Sequence, residues 1–182
     1  DKGIYHYELA QVYAKLMLFN QAIPHLLKTV AQNPEHVRAH LILGTIYFKN
    51  GDLDAAAKQF KIVTEVSPSY ADGFYELGNS LYYKGDEKGA KEAYLTACKL
   101  NSSFAEVYIK LGQLYADEKN YDEATTYFQK AYELGIHEPA FMSHYILTLA
   151  ANGQKEKASA MLTALEDIYP TSPELIKLKD LL

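Results

Sequence analysis

The dipeptide Leu-Gly stands at residues 43–44, 77–78 and 111–112, a constant 34 residues apart. A recurrence of that length with no insertion means that one supersecondary unit is copied along the chain. With Leu43 and Gly44 as positions 7 and 8, the units run 3–36, 37–70, 71–104, 105–138 and 139–172. Other positions keep the same phase. Position 20 is small throughout: Ala22, Ala56, Ala90, Ala124 and Ala158. Position 24 is large and apolar: Leu26, Phe60, Tyr94, Phe128 and Leu162. Position 27 holds Thr29, Val63, Ala97, Ala131 and Leu165, and position 32 holds Pro34, Pro68 and Pro170.

Within a unit, positions 4, 7, 8 and 11 follow helical spacing, and so do 20, 24 and 27. Between the two sets lie Asn50-Gly51, Lys84-Gly85, Asn120 and Asn152-Gly153, residues that tolerate the left-handed turn closing a helix. Acids follow at once, at Asp52 and Asp54, Asp86 and Glu87, and Asp122 and Glu123. They suit the cap and the positive end of a second helix. Each unit is therefore expected to be a hairpin of helix A and helix B, closest where Gly44 and Ala56 are small. One hairpin cannot bury its apolar stripe alone, so neighbours stack.

This pattern resembles the tetratricopeptide repeat family: a large residue, Leu-Gly and an aromatic, then Ala, an aromatic and Pro, in five in-phase copies. The resemblance implies an all-α fold, a right-handed α-solenoid of antiparallel helix pairs forming a superhelix, as one domain over residues 1–182. The end units depart from it as capping units do, with Leu9-Ala10 and Tyr145-Ile146 replacing Leu-Gly. Ser102 and Ile136 stand where Pro is usual. Residues 173–182, PELIKLKDLL, start a further helix after Thr171-Ser172. Lys179 and Asp180 occupy its Leu-Gly positions, so it reads as a solvating cap or a truncated sixth repeat.

Several function classes are disfavoured. The 182-residue chain carries a net charge of −5, without the excess of Lys and Arg that nucleic-acid binding requires. No apolar run approaches the roughly 18 residues of a membrane span. Cys98 is the only cysteine, which rules out an internal disulfide and any cysteine-rich zinc site. A cytoplasmic setting is the first expectation, with a periplasmic or membrane-anchored parent as the alternative. A chain opening at Asp1 without Met or signal peptide reads as an excised or processed fragment. No phosphate loop, nucleophile elbow or zinc-protease motif is present. His36 and His40 are four apart, but His40 occupies position 4, a packing position shared with His6, Phe74 and Tyr108. Asn50–Asp54 faintly echoes a calcium loop but has Lys61 where that loop needs Glu. The reading is a non-enzymatic chain without catalytic residues, cofactor or metal.

In the resembled family, positions 2, 5, 6, 9, 12 and 13 of helix A point into a groove that holds a partner. Repeat 1 then offers Ile4, Tyr7, Glu8, Gln11, Ala14 and Lys15. Repeat 2 offers Arg38, Leu41, Ile42, Thr45, Phe48 and Lys49. Repeat 3 offers Asp72, Tyr75, Glu76, Asn79, Tyr82 and Tyr83. Repeat 4 offers Glu106, Ile109, Lys110, Gln113, Ala116 and Asp117, and repeat 5 Ala140, Ser143, His144, Leu147, Ala150 and Ala151. The family's carboxylate clamp for acidic chaperone tails finds no matching window, since Asp72 and Glu76 stand where it needs bases. Repeat 3 is instead acidic and rich in tyrosine, a residue suited to recognition. The expected partner is a protein, presenting a peptide or a helix of apolar or aromatic and partly basic character. The small, uncharged face of repeat 5 suggests a second possibility, close approach of a helix from a partner or another copy of the chain. Alternatives are a targeting domain of a larger enzyme and a self-assembling scaffold. Leu81 takes the packing position that Tyr13, Tyr47 and Tyr115 fill elsewhere.

Overall fold

The structure is a computed structural model that describes residues 2–179. Asp180, invoked in the capping reading, lies outside the described residues. The described chain is helical with no strand. The helices are α1 (Lys2–Lys15), α2 (Phe19–Gln32), α3 (Val37–Lys49), α4 (Leu53–Val66), α5 (Ala71–Lys84), α6 (Glu87–Leu100), α7 (Ala105–Asp117), α8 (Tyr121–Glu133), α9 (Pro139–Ala151), α10 (Lys155–Ile168) and α11 (Pro173–Lys179). Each 34-residue unit is one helical hairpin, and the fold is an all-α solenoid. The chain divides into two compact units, Asp1–Asn101 and Ser102–Leu182. The first holds α1 to α6 and the second α7 to α11.

Helices A and B of a hairpin meet through a matched pair of side chains at positions 8 and 24. In repeats 2, 3 and 4 the pair is glycine under an aromatic ring. A Cβ placed on Gly44 would lie 2.7 Å from the Phe60 ring, on Gly78 2.5 Å from Tyr94, and on Gly112 2.5 Å from Phe128. These rings are fully buried. In repeats 1 and 5 the pair is Ala10 with Leu26 and Ile146 with Leu162: the ring gives way to leucine as position 8 grows.

The A–B turn has one recurring backbone state. Position 15 is left-handed in every repeat: Met17 at φ 58°, Gly51 at 81°, Gly85 at 89°, Lys119 at 59° and Gly153 at 76°. In repeat 4 the sequence points to Asn120, but the left-handed residue is Lys119. Register decides, because the turn length is the same in each copy, and Asn120 becomes the residue preceding α8. The capping acids act as expected where the geometry allows. Asp52 Oδ1 accepts from Ala55 N at 3.1 Å, and Asp86 Oδ1 from Gly89 N at 2.9 Å.

Position 4 is a packing position, and there the imidazole is structural. His40 is buried; its Nε2 donates to Pro34 O at 2.9 Å and its Nδ1 lies 2.7 Å from Gln59 Oε1. His36 instead caps α3, its Nδ1 accepting from Ala39 N at 3.2 Å. Positions 3 and 10 are buried in repeats 2 and 3, at Ala39, Ile46, Gly73 and Ser80, each on an A helix packed against a preceding B helix. In repeat 1 the same positions are Tyr5, 61% exposed, and Val12, 53% exposed.

Two outcomes test this packing. Gly78→Ala should destabilise the chain by roughly 1–2 kcal/mol, an overpacking cost of roughly 1–3 kcal/mol less the better helix propensity of Ala. Thermal unfolding would show a drop in Tm of several degrees, since about 1 kcal/mol moves a chain of this size by roughly 2–4 °C. Lys119→Gly should act oppositely, stabilising by roughly 0.5–1 kcal/mol as the left-handed lysine is relieved; a lower Tm would contradict the assignment of the turn.

Candidate functional site

In the first unit α1 touches α3 directly, and in the second α7 touches α9. Within each unit these A helices thus share a face, and positions 2, 5, 6, 9, 12 and 13 can be judged on it.

At repeats 1 and 2 this face is dented. A cavity of about 330 Å³ between α1 and α3 is lined, among the described residues, by Gln11, Ala14, Lys15, Leu41, Ile42, Thr45 and Lys49, joined by Phe19 and Ile46. Seven of these nine are groove positions from the sequence, so two consecutive repeats bring their positions together. Lys49 Nζ stands 5.9 Å from the Phe19 ring centre, a cation over an aromatic face. At the other end of α1, Gln11 Nε2 donates to the Tyr7 hydroxyl at 3.0 Å, and the Tyr7 ring lies 4.4 Å from the His36 ring. Ile4 has no described side chain.

At repeats 2 and 3 the face becomes aromatic. The Phe48 and Tyr83 rings meet edge-on at 5.5 Å, and Tyr82 meets Tyr83 at 5.4 Å. Tyr83 is 57% exposed at the surface of this cluster. Positions 12 and 13 of neighbouring A helices therefore build a patch with one ring standing out.

Towards the start of α5 the face turns acidic. Asp72 is exposed and Glu76 half-buried, one helical turn apart. Burial pushes the Glu76 carboxyl above its ordinary value; a hydrogen bond from Asn79 opposes this, and the charge of Asp72 adds to it. Arg38 is exposed on α3. Asn79, expected to face a partner, is instead buried in a polar chain. Its Oδ1 accepts from the Tyr94 hydroxyl at 2.8 Å, and its Nδ2 reaches Glu76 Oε2 at 3.5 Å. Tyr75 packs toward the same ring, 6.1 Å between centres. Burial also raises the Tyr94 hydroxyl pKa, so it remains a donor. The signal for this was in the sequence: position 24 is Phe in repeats 2 and 4 but Tyr in repeat 3, and a buried tyrosine hydroxyl requires a partner.

The second unit offers a plainer face. Glu106 is exposed, while Lys110 and Gln113 are half-buried on α7. On α9, His144 is exposed with its Nδ1 donating to Ala140 O at 2.8 Å, and Ser143 donates to Pro139 O at 2.7 Å. Leu147 is exposed between them and the small residues Ala150 and Ala151.

Among the described residues no group of three or more His, Cys, Asp and Glu is placed to hold a metal ion. No described helix is long and apolar enough to cross a membrane.

Three family models match the chain: Tetratricopeptide repeat over residues 7–71, TPR repeat over 78–118, and YpiA-like, C-terminal tetratricopeptide repeats over 106–171. The chain belongs to the tetratricopeptide repeat family. It is 27% identical over 131 residues to the BBSome complex member BBS4 of Bos taurus, a match covering 72% of this chain and 25% of the relative. It is 30% identical over 118 residues to a Hordeum vulgare protein described as a probable UDP-N-acetylglucosamine–peptide N-acetylglucosaminyltransferase, SPINDLY, covering 61% of this chain and 12% of that one. The chain thus spans a quarter or less of these relatives' length. Among solved structures it is similar to YrrB, described as a TPR protein with an unusual peptide-binding site. The TM-score is 0.82 at 22% identity, covering 96% of this chain and 90% of that one.

The state of Glu76 can be read from pH. Its pKa is raised on folding, so above that value the folded chain carries the cost of a buried charge. As pH falls through it the carboxyl protonates and relative stability rises. Glu76→Gln removes the charge and keeps an acceptor for Asn79. The variant should melt above the parent at pH 8, with the gap closing as pH falls toward the ordinary carboxylate range. A gap independent of pH would show that burial of the charge is not the cause.

Proposed function

We propose that the chain is a non-enzymatic protein-interaction scaffold, and that the A-helix face of its first unit binds an extended peptide carrying one basic and one aromatic or large apolar side chain. One observation carries this reading: α5 presents carboxylates at Asp72 and Glu76 and, further along, the exposed Tyr83 ring joined to Phe48. A desolvated carboxylate favours a cation, and an exposed ring in an aromatic cluster favours an apolar or aromatic anchor. From Glu76 to Tyr83 the helix rises about 10 Å at 1.5 Å per residue, which an extended peptide spans in about three residues. The ligand pattern is therefore basic, two residues, aromatic. The peptide-binding site named for YrrB and the membership of BBS4 in a complex both favour a partner-binding role.

The matching stretch in the barley relative is a small part of a longer transferase. That favours a second reading, in which repeats of this kind serve as the docking module of a larger protein.

Selection from a random peptide display library tests the main reading. The enriched peptides should share the basic and aromatic pair at that spacing. Phe48→Ala with Tyr83→Ala should weaken them at least about tenfold, roughly 1.4 kcal/mol. Glu76→Gln should weaken them mainly at low salt. Enriched peptides without that pair, or undiminished binding to the variants, would overturn the assignment.

A further inference from the structure

On the other side of the first unit lies a cavity of about 600 Å³, formed where α4, α5 and α6 meet. Its floor is apolar: Phe74, Leu77, Leu81 and Ala93. We propose that this cavity receives one aromatic side chain of a partner protein, a tyrosine in preference to any charged residue.

The internal repetition shows what is missing there. In repeats 1 to 4 the side chains at positions 4, 11 and 23 form one contact group between helices A and B, and in repeat 3 that group lines the cavity. In repeat 1 they are His6, Tyr13 and His25, with His6 Nδ1 2.8 Å from His25 Nδ1 and the Tyr13 ring 5.9 Å from His25. In repeat 2 they are His40, Tyr47 and Gln59, with His40 bonded to Gln59. In repeat 4 Tyr127 stacks on Tyr115 at 5.3 Å and on Tyr108 at 6.3 Å, with interplanar angles of 12° and 24°. Repeat 5 has Met142, Leu149 and Met161. Repeat 3 has Phe74, Leu81 and Ala93: the middle tyrosine is reduced to leucine and the third side chain to a methyl. Gly89, also in the wall, takes away one more side chain.

Leu43 and Leu111, at position 7 of repeats 2 and 4, are sealed at 0% exposure. Leu77, at the same position, is half-buried, as Leu9 is in repeat 1, and it lines the cavity. The cavity is thus continuous with the packed interior and exposes its leucine, a site where added apolar surface is favoured.

The rim selects the kind of side chain. Lys58, Lys61 and Lys84 are matched in number by Asp54, Glu65 and Glu92. Lys84 pairs with Asp54 at 2.5 Å and Lys61 with Glu65 at 3.9 Å. With ammonium groups and carboxylates in equal number, the rim offers a charged anchor no net attraction to offset the hydration it loses over an apolar floor. A neutral ring with an amphoteric hydroxyl loses no charge hydration: its body covers Leu77 and Leu81, and its hydroxyl can bond to either charge at the rim. Tyr127 in repeat 4 is the chain's own example of a tyrosine filling this register.

Methyl and amide NMR of the full chain, titrated with N-acetyl-tyrosinamide, tests the proposal. Saturable shifts are expected at Leu77, Leu81 and Ala93, with N-acetyl-leucinamide weaker by roughly three- to tenfold. Ala93→Tyr installs the residue of repeat 4 and should abolish the shifts while keeping the fold. Leu81→Tyr, the residue of repeats 1, 2 and 4, provides the same block if Ala93→Tyr does not fold. Shifts that persist in the blocked variant, equal response to the leucine compound, or no saturable shift up to the solubility limit would each overturn the proposal.

Discussion

The three middle repeats are built on the close approach of two helices across a residue with no side chain. An aromatic ring lies against Gly44, Gly78 and Gly112 at distances that a Cβ could not share. That contact sets the spacing inside each hairpin. The hairpin spacing in turn determines which A-helix positions are left to meet the neighbouring repeat and which remain on the surface. Because the ring and the glycine are sixteen positions apart in the same unit, the constraint is local. It can be copied every 34 residues without reference to the rest of the chain, which is why nearest-neighbour stacking suffices as an architecture. Where the constraint is relaxed, at Ala10 with Leu26 and Ile146 with Leu162, the two sides change together.

The period made the hairpins legible, because position 20 is alanine in every copy and position 24 large and apolar, with Leu-Gly repeated in the middle three. What the period could not express is what differs between copies. The left-handed lysine at 119 is invisible to residue preference, since lysine is a poor choice there and only the register requires it. The burial of Asn79 was hidden because family position assigns a direction to helix A without regard to what stands behind it. There, the hydroxyl of Tyr94 draws the amide inward.

The A-helix face was legible as a list and not as a surface. Positions from α1 and α3 do line one cavity, and Phe48 does meet Tyr83 across two repeats. Within α5, however, positions treated alike in sequence divide into three physical kinds: a carboxylate whose pKa burial raises, an amide spent on internal bonding, and a ring left to solvent. Only side-chain contacts separate them. The outer cavity is similar. Leu81, Gly89 and Ala93 are unremarkable singly, and acquire meaning once positions 4, 11 and 23 are known to share a face.

The bond between Tyr94 and Asn79 spans repeat 3 from one side to the other. Asn79 contacts Glu76 on the A-helix face, while Tyr94 follows Ala93, which floors the outer cavity. The hydroxyl gives helix B a directional tie to helix A at the place where repeats 2 and 4 carry only a phenylalanine ring. A cation drawn to Glu76 would meet a carboxylate already engaged by the amide of that tie.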